Sequence, residues 1–214
     1  GKGNFSDYKI IAFSQANIGV LAPYDFDNDG DIDLFVGSLS VPGIYGMNPE
    51  NLLLENDGKG NFNNVIKTIA PEIENIGMTT DAVWQDMDGD TIKDLVVVGD
   101  WMSPHIFKNN GKNLSELKTN LDQISGAFNC IKAVDIDKDG DIDFILGNRG
   151  ENSFYKASNK NVAKMFVNDF DNNGSIEQIL TRNINGKDIP VHLLKELKAQ
   201  INTPELKNMK FSEY

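Results

Sequence analysis

The chain has 214 residues, 40% of them hydrophobic and 24% charged, enough apolar material for a globular core and too much for a disordered segment. Against 20 basic residues stand 32 acidic ones, a net charge of −12. That balance gives no basic face for nucleic acid or an anionic membrane surface, and it suits a cation ligand instead.

No run of 18 or more apolar residues occurs, so no membrane insertion is expected. The start, GKGNFSDYK, has no apolar signal-peptide core. The single cysteine, Cys130, excludes an intrachain disulfide; within FNCIKAV it reads as a small buried hydrophobe.

In chain order, GKGNF stands at 1–5 and returns at 58–62, where it closes NLLLENDGKGNF. The chain therefore reads as starting inside the last part of a repeat, and as a fragment of a longer protein. Four acidic nonapeptides then align: DFDNDGDID (25–33), DMDGDTIKD (86–94), DIDKDGDID (135–143) and DFDNNGSIE (169–177). A short apolar run precedes each, and LFVG, LVVVG, FILG or QILT follows. Runs of this kind, bounded by Gly, Asn and Asp, predict strands and turns, three or four strands per unit. The strands after the loops read as buried on both faces. The fold class expected is all-β: about four propeller blades, with repeats starting near 18, 79, 128 and 162. Residues 1–17 would end a preceding blade, or a strand over 4–13 would complete the blade begun at 162.

From 187 to 214 the texture becomes helical. Pro190 stands near an expected helix start, with apolar residues at 191, 194, 197 and 201. TPELKNMKF starts a second helix, with Thr203 as N-cap and Pro204 at N1.

The loops have the oxygen spacing of a hard-cation site. In the first, side-chain oxygens stand at positions 1, 3, 5 and 9 (Asp25, Asp27, Asp29, Asp33), and the backbone carbonyl of Asp31 at position 7 adds another. Gly30 at position 6 permits the sharp turn. The second loop offers Asp86, Asp88, Asp90 and Asp94 with the carbonyl of Ile92, its glycine moved to position 4 (Gly89). The third offers Asp135, Asp137, Asp139 and Asp143 with Asp141. The fourth offers Asp169, Asp171, Asn173 and Glu177 with Ser175, one charge fewer, and is expected to bind most weakly. Oxygen-only, largely anionic ligands favour Ca2+ over Mg2+ or softer metals. One such loop alone leaves room for the reading as an Asx-rich hairpin turn; four in register, each keeping an acid at position 9, point to metal. The EF-hand is excluded, because position 12 is Val36, Val97, Leu146 or Leu180 rather than Glu, and the flanks are strands.

D-x-D-x-D-G-x-x-D between short strands, followed by N-x-L-x-x-N-x-G-x-G-x-F, resembles the FG-GAP/VCBS repeats also found in integrin α-subunits. GDWMSPHIFKNNG (99–111) is similar to VCBS proteins of the ASPIC/UnbV type. The resemblance spans 1 to about 190. It implies a β-propeller of seven or so blades with structural calcium, in a bacterial extracellular, cell-surface or periplasmic protein.

For catalysis the signals are sparse. His105 and His192 read as structural, one in a strand after Pro104 and one in the tail helix. No G-x-S-x-G, H-E-x-x-H or phosphate loop occurs. Trp84 and Trp101 read as core residues rather than a sugar-stacking face. The expectation is a calcium-stabilised, non-enzymatic module recognising a glycan or protein. The competing reading is an extracellular polysaccharide hydrolase or lyase, or an accessory domain of one.

Overall fold

Short Val-, Ile-, Leu- and Phe-rich runs separated by Asx and Gly turns do form strands. In the computed structural model thirteen strands lie among the described residues, which are 8–12, 14–150, 152–153, 157–158 and 160–210. The GKGNF copy at 1–5, the ends of the strand expected over 4–13 and parts of NSFYKASNK fall outside them. Residues 8–12 form no strand. The chain divides into one unit of residues 1–42 and 48–148 and another of 43–47 and 149–214.

In the first unit, β1 (Asn17–Tyr24), β2 (Asp33–Ser40), β3 (Leu52–Asn56) and β4 (Phe62–Asn64) make a four-stranded antiparallel blade in sequence order. A helical turn α1 (Ile66–Ile69) and a 3-10 turn (Pro71–Ile73) follow, and Ile66, Ala70 and Ile73 are wholly buried in the core. This insertion, which no periodicity announces, helps to lengthen the spacing between loops one and two. The second blade has β5 (Met78–Gln85), β6 (Asp94–Met102), β7 (His105–Asn109) and β8 (Leu114–Leu117). Among the described residues the third has β9 (Gly126–Val134) and β10 (Asp143–Asn148), with β9 also pairing the far end of β6 through Asp100↔Ala127 and Met102↔Gly126. Trp101, between those two pairs, takes a left-handed φ of 60°, as a bulge requires.

Phe35, Leu53, Leu95, Val97, Phe107 and Trp84 share one core between the first two blades. Burying each such side chain contributes about 1.5–3 kcal/mol. The strands after loops one and two are buried on both faces, as the sequence leads one to expect: β2 from Phe35 to Ser38, and β6 from Asp94 to Asp100. β10 corrects that expectation. Among the described residues it is the edge strand of its sheet, and Ile145 is exposed. Cys130 is corrected as well: on β9 opposite Gly147 of β10, it is exposed rather than buried.

The second unit has β11 (Ala163–Asn168), β12 (Glu177–Ile184) and β13 (Lys187–Pro190). β12 is mostly half-buried. Pro190 closes β13 instead of opening a helix, at the end of a strand where its missing N–H is tolerated. The helix α2 (Leu194–Gln200) begins four residues later, with Glu196 Oε2 accepting the Leu193 N–H at 2.8 Å. Leu194, Leu197 and Ile201 form its buried stripe. His192 precedes this helix rather than lying in it. The helix α3 (Pro204–Asn208) is capped by Thr203, whose Oγ1 accepts the Leu206 N–H at 3.3 Å.

Candidate metal centres

Each acidic loop closes a hairpin in one shared register. The residue before position 1 pairs with position 9 in every copy: Tyr24↔Asp33, Gln85↔Asp94, Val134↔Asp143 and Asn168↔Glu177. Between these pairs the carboxylates fold the backbone around themselves. Position 1 accepts the N–H of position 6 in all four loops, through Asp25 from Gly30, Asp86 from Thr91, Asp135 from Gly140 and Asp169 from Gly174, at 2.8–3.2 Å. Position 3 accepts from position 5, and position 5 from position 7, again four times. These are Asx turns laid end to end. They hold alternate side chains toward one centre.

Positions 4 and 6 take left-handed φ in every copy: Asn28 and Gly30, Gly89 and Thr91, Lys138 and Gly140, Asn172 and Gly174. The displaced glycine of loop two therefore leaves the turn unchanged. It leaves a β-branched Thr91 at φ 74°, where a Cβ is unfavourable.

Position 9 does more than supply an oxygen. Its carboxylate accepts the N–H of position 2 in each loop: Asp33 from Phe26, Asp94 from Met87, Asp143 from Ile136 and Glu177 from Phe170, at 3.0–3.3 Å. In the two four-stranded blades the other oxygen reaches the outer hairpin. Asp33 Oδ1 accepts from Asn56 N at 2.9 Å, and Asp94 Oδ1 from Asn109 N at 2.8 Å. Asp33 is 1% exposed, and burial pushes its pKa up to about 6 despite the two backbone donors that oppose the shift. Burial raises Asp94 in the same direction.

The carboxylates that converge differ between loops. Oxygens of Asp25, Asp27 and Asp29 lie within 4.8 Å of one another, as do those of Asp86, Asp88 and Asp90. In the third and fourth loops the trio is Asp135, Asp137 and Asp143, and Asp169, Asp171 and Glu177. At position 5, Asp139 and Asn173 hold the N–H groups of Asp141 and Ser175, as Asp29 and Asp90 hold those of Asp31 and Ile92. Asp27 is raised, first by desolvation, then by Asp29 and Asp25 against the opposing backbone donors. Asp31 is raised by desolvation and by Asp29, Asp27, Asp25 and Asp57; its Oδ1 is shielded from solvent and meets no donor. Clustered anionic oxygens with an orphaned acceptor beside them fit a hard divalent cation.

Several contributors were not singled out by sequence. Asn56 and Asn109 end β3 and β7 and lock outer hairpin to inner loop: Asn56 Nδ2 donates to Ile32 O at 3.1 Å, and Asn109 Nδ2 to Lys93 O at 3.3 Å and Phe26 O at 2.8 Å. The recurrence of Asn before x-Gly in both hairpins was the available signal. Lys108 ion-pairs with Asp88 in loop two and lies 3.9 Å from Asp90. Blade one meets blade two through Tyr24, which stacks at 5.1 Å on buried Trp84 and accepts the Lys93 N–H at 3.0 Å. In the second unit, Asn202 N donates to Asp171 Oδ2 at 2.7 Å, so the tail is fastened to loop four.

Both histidines lie away from these loops in sequence. His105 Nδ1 sits 2.7 Å from Glu116 Oε1, and Glu116 also pairs with Lys118. Ser103 Oγ lies 3.4 Å from His105 Nε2.

Repeated antiparallel blades with an acidic loop between their first two strands define a propeller-like repeat protein. Residues 25–97 and 86–146 each match the FG-GAP-like repeat, more than half of the chain between them, and the chain belongs to that family. The match extends no support to the narrower ASPIC/UnbV likeness drawn from 99–111. No curated protein matches the chain. Among the described residues no helix is long and apolar enough to cross a membrane.

Proposed function

We propose that this chain is a calcium-stabilised recognition module, in which the ions stiffen the blades and the exposed loops present a surface to a glycan or protein outside the cell. The observation behind it is the fourfold convergence of three carboxylate oxygens within 4.8 Å, each in the same hairpin register. Asp25, Asp27 and Asp29 would hold the first ion, with the carbonyl of Asp31 and the carboxylate of Asp33 near enough in sequence to complete it. Corresponding residues would serve in the other loops, the fourth having one charge fewer because Asn173 stands at position 5. Bound calcium would cancel the repulsion inside each loop, drawing the carboxylates together without taking part in any reaction. Millimolar calcium suits such sites and suits an extracellular or periplasmic setting.

The Ser103–His105–Glu116 chain of contacts does not carry a hydrolase reading. Ser103 Oγ stands beyond the 2.6–3.2 Å expected of a nucleophile and its base, and Glu116 shares its charge with Lys118.

Thermal melting tests the calcium reading. Calcium at 100 times its dissociation constant stabilises by about 2.7 kcal/mol per site, so 1–5 mM CaCl2 should raise Tm by several degrees and EDTA should reverse it. Asp27→Ala should lose part of that gain. Identical melting curves in calcium and EDTA would refute the reading. A glycan array with a reducing-end assay tests recognition: binding without turnover is expected, and turnover would overturn it.

A further inference from the structure

Blades one and two are superposable in register, which makes their differences readable position by position. Leu34 pairs with Leu54 in the first, and Leu95 with Phe107 in the second. The next outer-strand residue is Glu55 in one and Lys108 in the other, each immediately before the Asn that locks the hairpin. One register position thus carries opposite charges beside two otherwise matching acidic loops. Position 7 differs in the same sense, with Asp31 in loop one and Ile92 in loop two. Loop one has the further acid Asp57 acting on its Asp31. Loop two has an ammonium reaching into it, paired with Asp88 and 3.9 Å from Asp90, two of its three converging carboxylates.

We infer that Lys108 is a built-in counter-ion for loop two, so that this loop keeps its turn without a metal ion and takes calcium only when the ammonium swings out. The ammonium is a compact cation on a flexible four-carbon stem, able to lie among the carboxylates or withdraw into water. The Lys108 side chain is 44% exposed, which leaves the way out open. An ion entering loop two must displace it, whereas Glu55, at the equivalent register position, offers loop one no cation. The loops of the first unit are therefore not equivalent calcium sites: loop one responds to calcium and loop two is largely insulated from it. The calcium half of this inference rests on the function proposed above; the counter-ion half does not.

Two measurements separate them. Calorimetric titration of CaCl2 into the chelator-treated chain should show Lys108→Met gaining one site, or tightening one by about tenfold, the effect of 1.4 kcal/mol. Adding Asp88→Asn to that variant should abolish the gain, and Lys108→Arg should behave as wild type. Wild type that binds calcium and a Lys108→Met variant with the same stoichiometry and affinity would overturn the inference. No binding by any variant would instead overturn the calcium reading. Melting in EDTA reads the counter-ion directly: Lys108→Met should lower Tm by ~2–4 °C, while Glu55→Met should not. An unchanged Tm for Lys108→Met in EDTA would overturn the counter-ion role by itself.

Discussion

Blade one and blade two reach the same hairpin through different residues. Loop one turns on Gly30 at φ 99°, and loop two makes the same turn with Thr91 at φ 74°. Glu55 holds in the outer strand of blade one the register position from which Lys108 reaches loop two in blade two. What the two share without change is the set of side chain to backbone bonds: position 1 to 6, 3 to 5, 5 to 7, 9 to 2, and 9 to the outer-strand Asn. The turn is thus specified by its acceptors, and glycine only lowers its cost.

The largest effect should come from the two outer-strand asparagines, which test whether the blades are locked equally. Asn109 is fully buried and its side chain donates to both Phe26 and Lys93, so Asn109→Ala strands the buried carbonyl of Phe26 and the part-buried one of Lys93, in two loops at once. A loss of about 3 kcal/mol is expected, seen in urea unfolding. Asn56 is half-buried and donates only to Ile32, so Asn56→Ala should cost about 1 kcal/mol. Equal losses would show that the locks do not differ.

A smaller effect should appear with pH in chelator. Asp33 titrates near 6 in the folded chain against 3.8 in the unfolded one. A raised carboxyl binds more protons folded than unfolded, so its contribution is present below about pH 3.8 and fades as pH rises through 6. Acidifying from pH 7 to 5 should therefore stabilise the calcium-free protein by about 1 kcal/mol through this group, and Asp33→Asn should remove that slope. A melting temperature independent of pH over this window, in wild type and variant alike, would contradict the shift.

The smallest effect concerns the glycine itself. Thr91→Gly should stabilise loop two by about 0.5–1 kcal/mol by relieving the left-handed Thr, and Gly30→Ala should cost loop one a similar amount. Chemical denaturation of both variants in EDTA would check the pair of opposite signs.

The loops were legible in sequence because their bonds span two to seven residues, and Asx residues at fixed offsets encode those bonds locally. Val, Ile and Leu around them were enough to read β2 and β6 as buried strands. The same reasoning failed for β10 and Cys130, since FILG and FNCIKAV are apolar runs of the same kind as their counterparts. Whether such a strand is covered depends on which strands pair with it, as β3 does with β2 and β7 with β6. Pro190 and His192 were misplaced for a related reason: a strand pairing, β12 with β13, overrode a helix signal.

The sequence alone determined that the chain is built of repeated acidic hairpins, because spacing, turn residues and strand composition are local properties. Tertiary structure decided what each copy amounts to. Whether position 9 is buried, whether an Asn closes the outer hairpin, and whether a lysine reaches the carboxylates all depend on strands roughly 20 residues away in the chain. Charges and hydrogen-bond partners act through space, and only the pairing of β2 with β3 and of β6 with β7 brings them to the loops.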